Sequence, residues 1–167
     1  IIEKEGDTKN IALFRRNDRY QLFAKNGDSL SQAFDKIDQR KIDSPELLVY
    51  VTQQRAHYGL LVYQLDKGGL PQELEYLKLS NDYEGLGDYQ PKQNCIRIKQ
   101  NGKWGFIVWK DETKHIIPCN YDLVSNFFYH KELGQDVARV YVAAYNLYFY
   151  IDKDGKLLNT IERDKIW

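Results

Sequence analysis

The sequence lacks methionine altogether, and only two of its 167 residues are cysteines. Because protein synthesis starts with methionine, a chain that opens on Ile1 is expected to be a processed or excised piece of a longer protein. Cys95 and Cys119 lie 24 positions apart, which matches neither a disulfide framework nor the spacing of metal ligands. We expect two small buried apolar side chains, with a bridge between neighbouring strands as the alternative.

A surplus of either charge is also missing, since Lys plus Arg and Asp plus Glu number 24 each. Proteins that bind nucleic acid or anionic membranes tend to carry excess positive charge, so the overall charge predicts no nucleic-acid partner. A local charged patch in the folded chain stays open. The longest apolar run, YGLLVY, is far shorter than the ~20 residues that cross a membrane, and no membrane span is expected.

Aromatic residues are abundant, with 13 Tyr, seven Phe and three Trp. The chain is 43% hydrophobic and 29% charged, which is the composition of a globular protein. Aromatic and β-branched side chains fit the pleated surface of a sheet. The predicted fold class is therefore all-β.

One pattern recurs four times, at approximately residues 11–37, 47–79, 95–124 and 138–166. Each copy has an apolar strand, a polar turn, an aromatic residue near the end of the turn, a second apolar strand, a Lys/Asp/Gly turn and a closing element. The position after the aromatic residue is held by Gln21, Gly59, Gly105 and Phe149. The closing elements are Phe34-Asp35-Lys36-Ile37, Tyr76-Leu77-Lys78-Leu79, Tyr121-Asp122-Leu123-Val124 and Arg163-Asp164-Lys165-Ile166. We interpret residues 1–167 as a single domain built from these repeats.

The small and polar residues of the pattern have structural interpretations. Asn26-Gly27, Asn101-Gly102 and Asp154-Gly155 are strong hairpin signals, in which both turn residues take a positive φ. At Gly59 and Gly105, the missing side chain is expected to let the preceding aromatic ring lie over the neighbouring strand. The closing aspartate is expected to accept a hydrogen bond from a backbone N–H two residues further on. The stretches GFIVW and YFYI are apolar on both faces and predict central strands that are covered on two sides.

These residues resemble the WG repeat family, whose motif is an aromatic-Gly pair, an apolar strand, a D-x-x-G-K turn and a P-x-x-Y-D close. The third copy is the best match, through Gly102-Lys103-Trp104-Gly105, Pro118 and Tyr121-Asp122. The second copy keeps His57-Tyr58-Gly59, and the fourth keeps the turn around Gly155 but has Tyr148-Phe149 in place of the aromatic-Gly pair. The resemblance implies an array of four degenerate β-hairpin or three-stranded repeats, 38–46 residues apart, in a bacterial protein. Such arrays are often exported or attached to other modules, and the resemblance brings no catalytic residues.

Two structural alternatives stay open. The array is either open, with the terminal copies as caps, or a small closed propeller-like ring in which Ile1-Ile2 or the first strand pairs with the last copy. In SLSQAFDKI, Leu30, Phe34 and Ile37 have helical spacing behind Ser29 as a helix N-cap. The family resemblance favours an extended segment there.

No motif in the sequence indicates catalysis or a cofactor. His57, His115 and His130 stand in separate contexts without the spacing of metal ligands, and the DKDG segment at 152–155 lacks the ligand order of a calcium loop. Glu73 and Glu75 are close enough in sequence to form the carboxylate pair of a hydrolase, but nothing singles them out. We predict no enzyme activity, no metal and no cofactor, with a hydrolase as the third alternative for function.

The best candidate sites are residues 81–94 and 126–137, which interrupt the repeats, because insertions between repeats form loops on one face. Aromatic side chains in and near these segments are candidates for a surface binding platform. They are Tyr83, Tyr89, Trp109, Phe127, Phe128 and Tyr129. We predict a non-catalytic module that binds a protein partner, with glycan binding at the cell envelope as the alternative.

Overall fold

A computed structural model describes residues 2–8 and 10–161. Their regular structure consists of β-strands and two single-turn 3₁₀ helices, Glu75–Leu77 and Ala143–Tyr145. The all-β prediction is confirmed. In this part of the chain no helix is long and apolar enough to cross a membrane.

The chain forms two compact units, the first ending at Asp82 and the second beginning at Tyr83. The strands that start in the first unit are β1 (Ile2–Thr8), β2 (Ile11–Arg16), β3 (Arg19–Ala24), β4 (Lys36–Arg40), β5 (Leu47–Gln54), β6 (His57–Leu65), β7 (Pro71–Glu73) and β8 (Leu79–Tyr83). Those of the second unit are β9 (Gly85–Leu86), β10 (Cys95–Gln100), β11 (Lys103–Lys110), β12 (Thr113–Tyr121), β13 (Leu123–Val124), β14 (Phe128–His130), β15 (Gln135–Val142), β16 (Leu147–Ile151) and β17 (Leu157–Thr160).

The first unit consists of two antiparallel sheets around an apolar core. Sheet 1 has the strand order β1-β2-β3, and sheet 2 has the order β4-β5-β6-β7, with β8 also pairing with β6. Because side chains alternate along a strand, every second residue faces the core. Ile11 and Leu22 of sheet 1 thereby pack with Tyr50, Leu61 and Tyr63 of sheet 2.

The second unit is built in the same way. Sheet 3 has the order β12-β11-β10-β9, and sheet 4 has the order β13-β15-β16-β17, with β14 also pairing with β15. Phe106 and Val108 of sheet 3 pack with Val140 and Ile151 of sheet 4. Phe127, just before β14, lies edge-on to Phe106 with the ring centroids 4.8 Å apart.

In three places an aromatic-acid pair is followed by a strand that starts the next sheet. After Phe34-Asp35, β4 pairs with β5, and after Tyr121-Asp122, β13 pairs with β15. Tyr83-Glu84 takes the same place before β9, which pairs with β10. The prediction that the second copy closes at residues 76–79 is therefore wrong, since that stretch forms a 3₁₀ turn and the start of β8. The closing element predicted at residues 163–166 lies outside the described residues.

The two segments predicted as inter-repeat loops contain strands. β8 and β9 run through residues 81–94, and β14 and the start of β15 run through residues 126–137. Residues 84, 87–94, 126–127 and 131–134 lie between strands there. Both segments therefore belong in part to the sheets, because the backbone groups of their strands pair with β6, β10 and β15.

The hairpin turns agree with the sequence signals in part. Asn101 and Gly102 both take a positive φ, of 53° and 75°, as predicted. At the other two signals only the glycine does so, with φ of 96° at Gly27 and 78° at Gly155. Three further hairpins have positive φ at both turn residues without any glycine. These turns are Asn17-Asp18, Arg55-Ala56 and Asp111-Glu112.

The alternatives left open by the sequence are decided by strand pairing. β1 pairs with β2, and the pairings of the described strands stay within four separate sheets, so the closed-ring alternative is wrong. Residues 29–37 are extended, as the family resemblance favoured. Tyr20 and Phe34 exchange two backbone hydrogen bonds of 2.8 Å, which hold this segment beside β3.

The strands predicted to be central differ in how they are covered. In β6 and β11, five consecutive residues are buried, so both faces are covered. In β16 only Ile151 is buried, and the prediction for YFYI is wrong. The outward side of sheet 4 is partly open to solvent, and its half-buried and exposed side chains form the candidate site.

Candidate functional site

Three of the six aromatic residues predicted for a surface platform are buried. Tyr89 lies edge-on to Trp109 with the ring centroids 5.7 Å apart, and Phe127 packs in the core of the second unit. The prediction is wrong for these residues, because large rings gain most from burial and the segments that carry them fold back onto the sheets. Tyr83, at the end of β8, is half-buried.

Phe128 reaches the solvent-facing side of sheet 4, and Tyr129, the next residue, points to the other side of the strand but is also exposed. Both lie on β14, which pairs with β15. Tyr129 is 63% exposed. Phe128 is half-buried, and the guanidinium carbon of Arg139 lies 5.1 Å from the centre of its ring.

The register of sheet 4 assembles a larger aromatic surface around these residues. Across three neighbouring strands, Leu123 lies opposite Tyr141, and Tyr141 lies opposite Tyr148. Arg139, two residues before Tyr141 on β15, lies opposite Tyr150, two residues after Tyr148 on β16. Since the residues between them face the core, these side chains share the outward side. We call this surface the aromatic face, and it consists of Leu123, Phe128, His130, Arg139, Tyr141, Tyr148 and Tyr150.

The rings of the aromatic face largely cover one another. Tyr141 and Tyr148 stack with centroids 4.4 Å apart and an interplanar angle of 26°. The hydroxyl of Tyr141 donates a hydrogen bond to Oδ1 of Asn146 at 3.2 Å. Arg139 lies over one side of Phe128. One side of each of these three rings is therefore covered, and Leu123 is the most exposed member of the face.

Two depressions lie on the aromatic face. One, of about 500 Å³, is lined by Leu123, Arg139 and Tyr148 among others. The other, of about 570 Å³, lies beside His130 and Tyr150, whose rings are 4.8 Å apart, and its rim includes the exposed Lys131, Glu132 and Asn159. Each depression can therefore accept an apolar side chain with polar groups at its edge.

No protein-family model matches the chain. A search among curated proteins found no match either. The function of the aromatic face is therefore argued from its geometry and chemistry.

The closing carboxylates connect consecutive copies. Each accepts a hydrogen bond from a backbone N–H in the hairpin turn of the next copy. The pairs are Asp35 with Arg55 at 2.7 Å, Glu84 with Gly102 at 3.0 Å and Asp122 with Ala143 at 2.6 Å. The prediction of a donor two residues further on is wrong, because the N–H group bound by each carboxylate lies 18 to 21 residues ahead in the sequence.

Gly105 leaves room for the backbone of the third strand. A Cβ atom at position 105 would lie 2.3 Å from the carbonyl oxygen of Ile117, and one at Gly59 would lie 2.5 Å from that of Leu79. The ring of Trp104 does lie across the neighbouring strand, with Nζ of Lys99 5.8 Å from its centre. The expected reason for the glycine is nevertheless wrong, since β12 and not the ring needs the space.

The most enzyme-like group of the first unit surrounds Glu73, beside a depression of about 410 Å³. Burial raises the pKa of Glu73, Lys78 lowers it, and a hydrogen bond with Glu75 raises it, so that the pKa lies above its usual range. Nζ of Lys78 lies 3.8 Å from a carboxylate oxygen of Glu73. The structure thus brings the two glutamates together, with Lys78 as the ion-pair partner of Glu73.

The cysteines and histidines form no reactive or metal-binding constellation. Cys95 and Cys119 are free thiols, so the alternative of a bridge is wrong. Cys95 is buried, and burial raises its pKa to about 12, whereas Cys119 is half-buried and its pKa is raised for the same reason. Within residues 2–8 and 10–161, no group of three His, Cys, Asp or Glu side chains is placed to hold a metal ion.

The sequence did not single out Arg139, Tyr141, Tyr148 or Tyr150. Their signal is the alternation of LYFYI, in which the two tyrosines occupy every second position. Tyrosine counts as apolar in such a pattern, although its hydroxyl group lets it face solvent. The prediction of a strand that is apolar on both faces therefore missed that Tyr148 and Tyr150 face outward.

Proposed function

We propose that the chain is a non-catalytic β-repeat interaction module of the WG repeat type, in a bacterial protein, and that the aromatic face binds a protein partner. The observation that supports this is the composition of the face, where three tyrosines, a phenylalanine, a histidine and an arginine share one side of one sheet. Tyrosine and arginine are enriched among the residues that dominate protein interfaces, because they combine large contact area with hydrogen bonding.

The arrangement of the rings favours a protein over the alternative, a glycan. A sugar ring needs an open, flat aromatic surface on which to stack. On this face, Tyr141 and Tyr148 cover each other, and Arg139 covers one side of Phe128. Ring edges together with Leu123, which is 57% exposed, suit the uneven apolar surface of a protein.

The groups beside the depressions support binding more than catalysis. The hydroxyl of Ser125 donates to the carbonyl of Asn126 at 2.8 Å and accepts the N–H of Arg139 at 2.9 Å. Nδ1 of His130 accepts the N–H of Leu133 at 3.1 Å. Both side chains are engaged by backbone groups, whereas an activated nucleophile requires a base within hydrogen-bonding reach.

Photo-crosslinking tests the proposal. A benzoylphenylalanine replaces Tyr129, which is 63% exposed and lines the depression beside His130 and Tyr150, and in the control it replaces Ile116, which is 64% exposed on sheet 3. In cells of the source organism we expect discrete protein adducts from position 129 that are absent from position 116. Adding Tyr148→Ala should reduce the adduct at least about tenfold, because an interface hot spot contributes roughly 2 kcal/mol.

Equal products from both positions, or none from position 129, would contradict the proposal. An oligosaccharide array probed with the same chain tests the alternative. Binding to a glycan that is lost in Tyr148→Ala, without any protein adduct, would replace the protein partner with a glycan.

A further inference from the structure

The two sheets of the first unit pack by a simple rule of parity. Counting from the last residue of a hairpin turn, even positions of the following strand share one side of the sheet, the even face, and odd positions share the other, the odd face. In sheet 1 the turn ends at Asp18, so Tyr20 and Leu22 lie on the even face. That face packs against Leu61 and Tyr63, which lie on the odd face of sheet 2.

The second unit follows the same rule. The hairpin turn of sheet 3 ends at Gly102, and Phe106 and Val108 lie on its even face. They pack with Phe149 and Ile151, which lie on the odd face of sheet 4. In both units the even face of the earlier sheet is thus covered by the odd face of the next.

The faces that remain open are complementary under this rule. In sheet 4 the open side is the even face, which is the aromatic face with Tyr148 and Tyr150. In sheet 1 it is the odd face, where Phe14 and Phe23 meet edge-on at 5.5 Å. Depressions of about 390 Å³ and 290 Å³ flank this pair of rings.

We infer that a second copy of this chain docks head to tail, the aromatic face of one copy against the odd face of sheet 1 of the other. This inference rests on the proposed function, because it names the partner of the aromatic face. The solvated face of an antiparallel sheet normally carries polar side chains. Here the open even face of sheet 4 and the open odd face of sheet 1 both carry aromatic rings. Within the chain, faces of these two kinds cover each other.

The contact joins two different surfaces, so each docked pair retains one free surface of each kind. Association of this heterologous type continues beyond the dimer unless a ring closes.

Sedimentation velocity on the whole chain tests the inference. We expect the average mass to rise with protein concentration, and Tyr148→Glu or Phe14→Glu each to weaken association at least about tenfold. Mixing these two variants should restore a one-to-one pair and nothing larger, because the first keeps an intact sheet 1 and the second an intact aromatic face. Ile116→Glu, an equally drastic change at an exposed site, should associate like the parent chain.

Other outcomes would overturn the inference. A chain that stays monomeric at every concentration and salt excludes a second copy, while crosslinks from position 129 to another protein would leave the proposed function standing. A dimer that survives Phe14→Glu but not Tyr148→Glu would mean a symmetric contact between two aromatic faces. Circular dichroism checks folding, and Tyr148→Ser with Phe14→Ser replaces any glutamate variant that does not fold.

Discussion

At the scale of single residues, Asp122 shows how a repeat holds its successor. One carboxylate oxygen accepts from Nζ of Lys103 at 2.6 Å, and the other accepts the N–H of Ala143 at 2.6 Å. The hydrogen bond from Lys103, followed by that from Ala143, holds the pKa of Asp122 below its usual value of 3.8. Asp35 has equivalent partners in the first unit, Arg19 at 2.9 Å and the N–H of Arg55 at 2.7 Å. The arrangement is therefore a feature of the repeat.

Replacing Asp122 by Asn should lower stability at neutral pH and leave it unchanged in strong acid. A carboxyl group whose pKa is lowered by folding stabilises the native state above its unfolded pKa, and this contribution is lost as the pH falls through the folded pKa. The difference in thermal midpoint between parent and variant should therefore shrink below about pH 4. Asp88→Asn, at an exposed site of the same unit, is the control and should show no such trend.

Gly105 and Gly6 offer a matched test of backbone approach. Gly105→Ala should destabilise the fold by about 2–3 kcal/mol, because the new methyl group meets the carbonyl of Ile117 and the backbone of Pro118. Gly6→Ala, where no atom lies within 4 Å of the added methyl group, should change stability by less than about 0.5 kcal/mol. Urea unfolding of both variants gives the comparison. Equal losses would mean that the close approach at β12 is not what requires glycine.

At the scale of elements, the hairpin turn between β5 and β6 has a strained backbone. Arg55 and Ala56 take φ of 51° and 64°, a region that L-residues with a Cβ atom disfavour. Such two-residue turns nevertheless match the right-handed twist of the flanking strands. Asp35 supports this turn by accepting the N–H of Arg55. Cross-strand pairing of β5 and β6 over eight residue pairs then outweighs the local strain.

Ala56→Gly should stabilise the chain by about 0.5–1 kcal/mol. Relief of the strain at positive φ exceeds the extra backbone entropy that glycine loses on folding. The same substitution at Ala138, a buried residue of β15, should destabilise by roughly 1 kcal/mol, because it removes a packed methyl group and adds flexibility. Chemical denaturation of the two variants should give changes of opposite sign. A loss of stability in both would refute the strain at the turn.

At the scale of the whole molecule, the charges cancel, and the proposed contacts lie on two apolar surfaces. The formal net charge is zero at neutral pH, and positive and negative residues are equally numerous. The aromatic face and the pair Phe14 and Phe23 are the apolar surfaces that carry the proposed contacts. With no net charge to keep molecules apart, these surfaces should dominate the behaviour of the chain in solution.

The solubility of the chain should pass through a minimum near pH 7. Net charge grows on either side of this value, and repulsion between like-charged molecules opposes association. Precipitation by polyethylene glycol across the pH range measures the effect. Leu157→Lys adds one positive charge at a site that is 53% exposed, and it should move the minimum to a higher pH. A minimum that does not move would show that net charge is not its cause.

The sequence by itself determined the all-β class, the repeats and the best of the turns. These features depend on local physics: aromatic residues fit pleated strands, and Asn101-Gly102 adopts a positive φ with little strain. The extended path of residues 29–37 was favoured by the family resemblance, whereas the residues alone left a short helix open. The sequence also suggested Phe128 and Tyr129 as surface residues, because they stand where the repeat rhythm is interrupted.

Only the tertiary structure decided which side of each strand is covered. Tyr89 and Phe127 look like Phe128 in sequence, but two are buried and one faces outward, because burial depends on which sheet packs on which face. The partner of Asp122 lies 21 residues ahead, at a distance that no local pattern encodes. For the same reason the aromatic face became visible only when the register of β13, β15 and β16 placed Leu123, Tyr141 and Tyr148 side by side.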